Sequence, residues 1–259
     1  MKVPRKLVLT ALPGIPLIEE GDDLAEIIYD ASQACDVAFE DGDVLVLAQK
    51  IVSKAEGRLV NLTTVNPSDK AKSLAEYLDK RPELVELILS ESAEVLRTRP
   101  GTIIVQHKNG YVCANAGIDH SNVKGPWGDD SDWVLLLPEN SDKSAARIRL
   151  GLEELTGRKL AVMIIDSHGR AWRNGVVGIS IGMSGMPGLV DMRGSEDMNA
   201  YKLRVTTIAA ADELAAGASL LMGQANEGIP VVHVRGFPYP LREGSVAELI
   251  RDKEKDMFR

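Results

Sequence analysis

At 259 residues, with 44% hydrophobic and 26% charged residues, the chain has the makeup of an ordinary globular protein. It is long enough for one large or two modest domains with ample core. A formal charge of −8 excludes a general nucleic-acid binder, which needs a basic surface to displace counterions. Cys35 and Cys113 stand far apart without metal-ligand spacing, which fits small core residues in a reduced compartment rather than a disulfide. No apolar stretch approaches the roughly 20 residues of a membrane span. Lys2, Arg5 and Lys6 are not followed by an apolar signal region. The expectation is a cytoplasmic protein with no membrane partner.

Residues 6–10 read as a short strand, broken by Leu12-Pro13-Gly14-Ile15-Pro16, where two prolines around a glycine fix an extended turn. Leu24, Ile27 and Ile28 recur on one face of a helix over 22–33, with Asp22 and Asp23 at its positive end. Asp41-Gly42-Asp43 turns into a continuous apolar run, 44–48, read as a buried strand. Pro67 and Pro82 open helices that run to about 78 and 89. Strands at 102–106 and 111–114 flank Lys108-Asn109-Gly110, a strong hairpin signal. Residues 124–132 form a polar loop, 134–137 a short strand and 141–155 a helix; the strand 160–165 then delivers Asp166. Five glycines among Val, Ile and Met over 175–188 predict close backbone approach or sharp curvature. A strand at 203–207, an alanine-rich helix at 209–222 and a strand at 229–235 complete the core, before a charged helix or tail at 246–259. Strands and helices mix without a regular βαβ rhythm, which predicts an α+β fold.

Several chemistries are disfavoured by missing motifs: there is no G-x-x-x-x-G-K-[ST], no G-x-S-x-G elbow and no dinucleotide fingerprint. What remains is acidic. Asp166 ends an apolar run and opens the turn Asp166-Ser167-His168-Gly169-Arg170, where a carboxylate is costly to shield unless a cation pairs with it. A second loop, Asn115-Ala116-Gly117-Ile118-Asp119-His120-Ser121-Asn122, has the same character. Together Asp119 and Asp166, with Ser167 and Asn122 as neutral donors, suit Mg²⁺ or Mn²⁺; the bland alternative is that both aspartates cap turns. Lys50, Lys54 and Arg58 read either as a phosphate clamp or as a solvated basic face. Arg170 and Arg173 would bind an acidic substrate or a phosphoryl group, or simply pair with Asp166. His120 and His168 each read as a base, a metal ligand or an ordinary loop histidine. Gln224 joins the binding candidates because Gly223 permits close approach.

In order along the chain, Leu12-Pro13-Gly14-Ile15-Pro16-Leu17-Ile18, Gly42-Asp43-Val44-Leu45, Val52-Ser53-Lys54-Ala55-Glu56-Gly57-Arg58, Asn115-Ala116-Gly117-Ile118-Asp119, Asp166-Ser167-His168-Gly169-Arg170 and Ala211-Asp212-Glu213-Leu214-Ala215 resemble the coenzyme F420:L-glutamate ligases. The resemblance runs from about residue 8 to about 236. It implies an α+β fold of mixed sheets with flanking helices, in two intimately packed subdomains of an intertwined homodimer. The ligase domain would be 1–245. It further implies that L-glutamate is joined to F420-0 at the expense of GTP, through an acyl phosphate, with GDP and phosphate released. Two Mg²⁺ or Mn²⁺ ions and K⁺ would take part. Gly14, Ile15, Pro16 and Leu17 would contact GTP, with Gln49, Lys54 and Asn122. Asp119 and Asp166 would ligate metal, with Ser167 assisting the second ion. Lys54 would neutralise developing charge, and by charge and position Arg170 and Arg173 would orient the acceptor or the incoming glutamate. Competing readings are a relative acting on another acidic acceptor, a metal-dependent nucleotide phosphatase, and a non-catalytic nucleotide- or deazaflavin-binding protein.

Overall fold

The computed structural model describes residues 5–257; Lys2 and the last two residues of the expected tail lie outside that range. In chain order the elements are β1 (Val8–Ala11), α1 (Leu24–Ala34), β2 (Val44–Ala48), α2 (Gln49–Ala55), β3 (Leu59–Asn61), α3 (Asp69–Leu78), α4 (Pro82–Ser90), β4 (Ser92–Arg99) and β5 (Thr102–His107). There follow β6 (Val112–Ala114), β7 (Trp133–Leu135), α5 (Ser141–Thr156), β8 (Ala161–Arg170), β9 (Arg173–Ser184), β10 (Val190–Asp191), β11 (Thr207–Ile208), α6 (Ala210–Met222) and β12 (Val231–Arg235). The fold is mixed α+β. Local chemistry sets the helix starts: the Asp23 side chain accepts from the Ala25 and Glu26 amides to cap α1, and Pro82 occupies the first turn of α4.

A five-stranded sheet in the order β1-β12-β2-β8-β9 organises the molecule, with smaller sheets β4-β5-β6, β3-β7 and β10-β11. Strands β2 and β8 are parallel, and the apolar runs of β2 and β12, each flanked by a strand on either side, are buried on both faces. Leu45, Leu47, Val162 and Ile164 pack on the side of α1 and α5; Val44, Val46, Met163 and Val232 pack against Ala211, Leu214 and Ala215 of α6. Two of the glycines in β9 are explained by that packing. A Cβ at Gly178 would lie 2.7 Å from the Ala215 carbonyl oxygen, and one at Gly182 would collide with Ser141 at the start of α5.

Two expectations change, and one strand forms where none was expected. Asp166 does not open a turn: β8 continues through it to Arg170, paired with β9 from Asp166↔Ile179 to Arg170↔Arg173, so the reversal falls at Ala171 and Trp172. Beyond the core this hairpin is a two-stranded ribbon whose backbone pairing persists while its side chains become exposed, and the apolar signal fades although the strand does not. Strand β4 lay in a stretch without any reading, because its mostly exposed residues and two register shifts erase the period-two pattern. The strand expected at 203–207 is reduced to Thr207–Ile208. Residues 246–257 carry 3₁₀ turns at Val246–Glu248 and Lys253–Lys255. Both cysteines are free, Cys113 buried and Cys35 partly so.

Candidate functional site

Sheet topology explains why distant segments meet. Strand β1 is antiparallel to β12, β12 is antiparallel to β2, and β2 is parallel to β8, so β1, β2 and β8 all run the same way. Their C-terminal ends, together with the entry to β12, share one edge of the sheet. The turn after β1, the start of α2, the outer part of β8 and residues 223–230 before β12 are therefore brought together. They line a cleft of about 1950 Å³. The opposite wall is the Asp119 loop, tied in by paired backbone hydrogen bonds between Asp119 and Leu135 of 3.0 and 2.9 Å.

Within this cleft the two acidic segments face one set of partners. Gln49 Nε2 donates to Asp119 Oδ2 at 2.5 Å, and Ser53 Oγ donates to Gln49 Oε1 at 2.9 Å, so the buried amide is held in one orientation. Lys50 Nζ reaches the Ser121 hydroxyl and carbonyl at 2.8 and 3.0 Å and lies 3.5 Å from Asp119 Oδ2. Asp166 Oδ2 is 3.0 Å from Nε2 of the buried His168, its neighbour on the same face of β8. On the other face, Ser167 Oγ donates to Gln224 Oε1 at 2.9 Å, and Asn122 Nδ2 donates to the Ala225 carbonyl at 3.2 Å. Those two bonds lace both acidic segments to the loop before β12.

Burial pushes the Asp119 carboxyl up to about 6, with Lys50 opposing and the charge of Asp166 adding to the rise. The two carboxylates therefore sense each other across the cleft. Burial and the neighbouring Lys50 hold Lys54 below its ordinary value, and among the described residues its ammonium has no ion-pair partner although it lines the cleft. Ser167 and the two carboxylates form an all-oxygen donor set suited to Mg²⁺ or Mn²⁺. No group of three or more His, Cys, Asp or Glu among the described residues could hold a metal. A cation here needs further oxygens from a ligand such as a phosphate, the usual arrangement for Mg²⁺.

Ile15, Pro16 and Leu17 line the cleft and Leu17 is 90% exposed, whereas Gly14, exposed and with φ of +84°, is not part of its lining. Arg170 and Arg173 line it without pairing with Asp166; Arg170 Nη2 donates instead to the Asn174 carbonyl at 3.2 Å. Arg58 leaves the basic trio. It donates to the Leu137 carbonyl and pairs with Glu91 at 2.7 Å, on a separate smaller cleft. His120 is exposed. Sequence reasoning passed over the contact of Lys50 with Asp119, which depends on a pairing 69 residues apart in number that no local pattern encodes. It also passed over Arg97 and Arg99, which reach the cleft from the unforeseen β4.

The profile of the F420-0:Gamma-glutamyl ligase family matches residues 14–236. The coenzyme F420:L-glutamate ligase of Methanothermobacter thermautotrophicus is 45% identical over 253 residues, covering 97% of this chain and 98% of the relative. Those of Archaeoglobus fulgidus and Methanocaldococcus jannaschii are 46% and 40% identical, covering 95% and 100% of this chain and 94% and 99% of theirs. Among the described residues, no helix is long and apolar enough to cross a membrane. Similarity at this level along nearly the whole chain, over the segments that converge on the cleft, makes this protein a member of the F420-0:gamma-glutamyl ligase family.

Proposed function

We propose that the protein joins L-glutamate to F420-0 at the expense of GTP, releasing GDP and phosphate. The observation that carries this reading is that two carboxylates that sense each other's charge, Asp119 and Asp166, line one large cleft with Lys54, which has no ion pair among the described residues. An acidic pair that repels itself calls for a cation, and a half-buried ammonium with no ion pair among the described residues calls for an anion; a metal-bound nucleotide triphosphate supplies both.

In this reading an acceptor carboxylate oxygen attacks the γ-phosphorus of GTP, the bond to the β–γ bridging oxygen breaks, and GDP leaves. The glutamate amine then attacks the acyl carbon, an amide bond forms, phosphate departs with the pair of electrons from the acyl–oxygen bond, and the proton lost by the amine passes to the departing phosphate. Lys54 neutralises charge on the phosphoryl oxygens as it is transferred. Asp119 and Asp166, assisted by Ser167, would hold Mg²⁺ or Mn²⁺, which would supply Lewis-acid stabilisation of the phosphates. Gln49 fixes the Asp119 carboxylate, and Ile15, Pro16 and Leu17 with Asn122 and Gln224 border the nucleotide. Arg170 and Arg173 orient the carboxylates of acceptor and incoming glutamate. Stimulation by K⁺ and an intertwined homodimer of packed subdomains belong to the same reading.

Incubation with F420-0, GTP, Mn²⁺ and glutamate, followed by nucleotide chromatography and mass spectrometry, tests it: glutamylated product and GDP should appear together. Phosphate release from GTP at full rate without glutamate would point to a nucleotidase. Binding without turnover would point to a carrier of nucleotide or deazaflavin, and product only with another acid would change the acceptor.

A further inference from the structure

Helix α2 carries two lysines one turn apart. Lys50 and Lys54 are separated by four residues, so they share one face of the helix, and both line the cleft. Their surroundings differ. The Lys54 ammonium has no ion pair among the described residues and only a like charge, Lys50, beside it. Lys50 is fully engaged, and by a single loop. Its Nζ donates to the Ser121 hydroxyl at 2.8 Å and the Ser121 carbonyl at 3.0 Å, and lies 3.5 Å from Asp119 Oδ2. An ammonium has three hydrogens to donate, and these three oxygens account for them.

The Asp119 carboxylate is divided. Oδ2 accepts from Gln49 Nε2 and faces Lys50, whereas Oδ1 accepts no hydrogen bond among the described residues. A divalent ion on this carboxylate would therefore sit beside an ammonium already held there, and like charges repel strongly in a partly buried site. The hold on Lys50 is also a loose one. Two of its three contacts are to uncharged oxygens, its contact with Asp119 is long, and its side chain is 29% exposed on a flexible four-carbon stem. A multiply charged anion would outcompete these partners. Lys54, on the same helix face, offers that anion a second cation.

We propose that Lys50 couples metal binding to nucleotide binding: its ammonium balances Asp119 while the cleft holds neither, and passes to the phosphates when both are bound. This rests on the metal- and GTP-dependent reading above. Without nucleotide, Lys50 opposes the ion on Asp119, so metal alone binds weakly. Phosphates draw the ammonium off Asp119, the opposition falls, and the metal is held more tightly. The effect is reciprocal, because metal on Asp119 releases Lys50 to the phosphates by the same exchange of partners. Lys54 is different: it has no carboxylate to leave, so its attraction for phosphate does not depend on that exchange. The consequence is that a bare ion is kept out of the cleft until a nucleotide accompanies it.

Calorimetric titration of Mn²⁺ into wild type, K50Q and K50R at pH 8, with and without saturating GDP, tests this. GDP is the probe because it brings phosphates without turnover. K50Q should bind Mn²⁺ alone roughly fivefold more tightly than wild type, and the factor by which GDP tightens Mn²⁺ binding should shrink roughly tenfold. K50R keeps the charge and should retain most of that factor. A lysine that merely ties α2 to the Asp119 loop predicts the opposite sign, with Mn²⁺ alone binding K50Q more weakly than wild type. That result, or an unchanged factor, would overturn the coupling and leave the reaction in place. K50M, which keeps the apolar stem, carries the same comparison if K50Q melts early. Wild type that binds Mn²⁺ neither alone nor with GDP would overturn the metal-and-nucleotide reading and the coupling together.

Discussion

The two ends of the central sheet carry aspartates under opposite electrostatic conditions. At one end Asp43, 1% exposed, receives His233 Nε2 at 2.7 Å and two nitrogens of Arg235 at 2.7 and 3.0 Å. Burial there acts to raise its pKa, but the hydrogen bonds from His233 and Arg235 outweigh it and hold the carboxyl well below the usual range. At the other end Asp119 has one lysine at 3.5 Å and a second carboxylate nearby, and its carboxyl is pushed up to about 6. The same residue type is thus satisfied by the fold at one end of the sheet and left wanting in the cleft at the other. Acids whose charge the chain already balances fasten strands; acids whose charge it leaves unbalanced await something from solution.

The sharpest way to break this contrast is to remove the unbalanced acids. Asp119→Ala or Asp166→Ala should lower GDP release by roughly a thousandfold, on the scale of losing a group that stabilises transferring charge. Thermal melting should change little, and turnover retained in both variants would remove the metal roles. Asp43→Ala should do the reverse. Deleting one member of a buried ion-paired cluster costs about 3 kcal/mol, or a fall in Tm of roughly 6–10 °C for a chain of this length, while turnover per folded molecule is kept. Its depressed pKa also sets a sign: the stabilisation is present above the unfolded carboxylate value near 4 and is lost as pH falls through the lower folded value. Acid-induced unfolding followed by circular dichroism should therefore lose part of its pH dependence in Asp43→Asn.

Smaller effects probe the unbalanced end. His168→Ala frees the Asp166 carboxylate from its 3.0 Å tether and should weaken Mn²⁺ binding by about tenfold, measured by calorimetry, as partners that orient metal ligands do. His168→Asn should recover part of it. Because metal must displace the proton of a carboxyl that titrates near 6, Mn²⁺ affinity should fall by about tenfold from pH 7 to pH 5. Proton release on binding should be largest below pH 6. A flat profile would mean that Asp119 is not a ligand.

Much of this was readable from the chain. The apolar runs of β2, β8 and β12 declare themselves as strands buried on both sides, and Asp23 and Pro82 announce their helices. Asp166 stood out as an acid ending an apolar run, Asp119 as the acid of a second loop, and Lys54 within a basic trio from which the family resemblance singled it out; all three line the same cleft. What could not be read was non-local. The contact of Lys50 with Asp119, the capture of Asp43 by His233 and Arg235, and the meeting of four loops at one edge all follow from strand order and register. Strand β4 escaped because an exposed strand needs no apolar alternation, and with it went the two arginines that face the cleft.

The parallel pairing of β2 with β8 has a kinetic consequence. Parallel neighbours cannot be joined by a tight turn, and here the crossover is everything between Ala48 and Ala161. That excursion contains the Asp119 loop, so the two acidic segments meet only after a very long loop has closed. Contacts of such sequence separation form slowly and late. During refolding from denaturant, helical circular dichroism from α1, α5 and α6 should return before the capacity to bind Mn²⁺, making the metal an indicator of the last part of the chain to find its place.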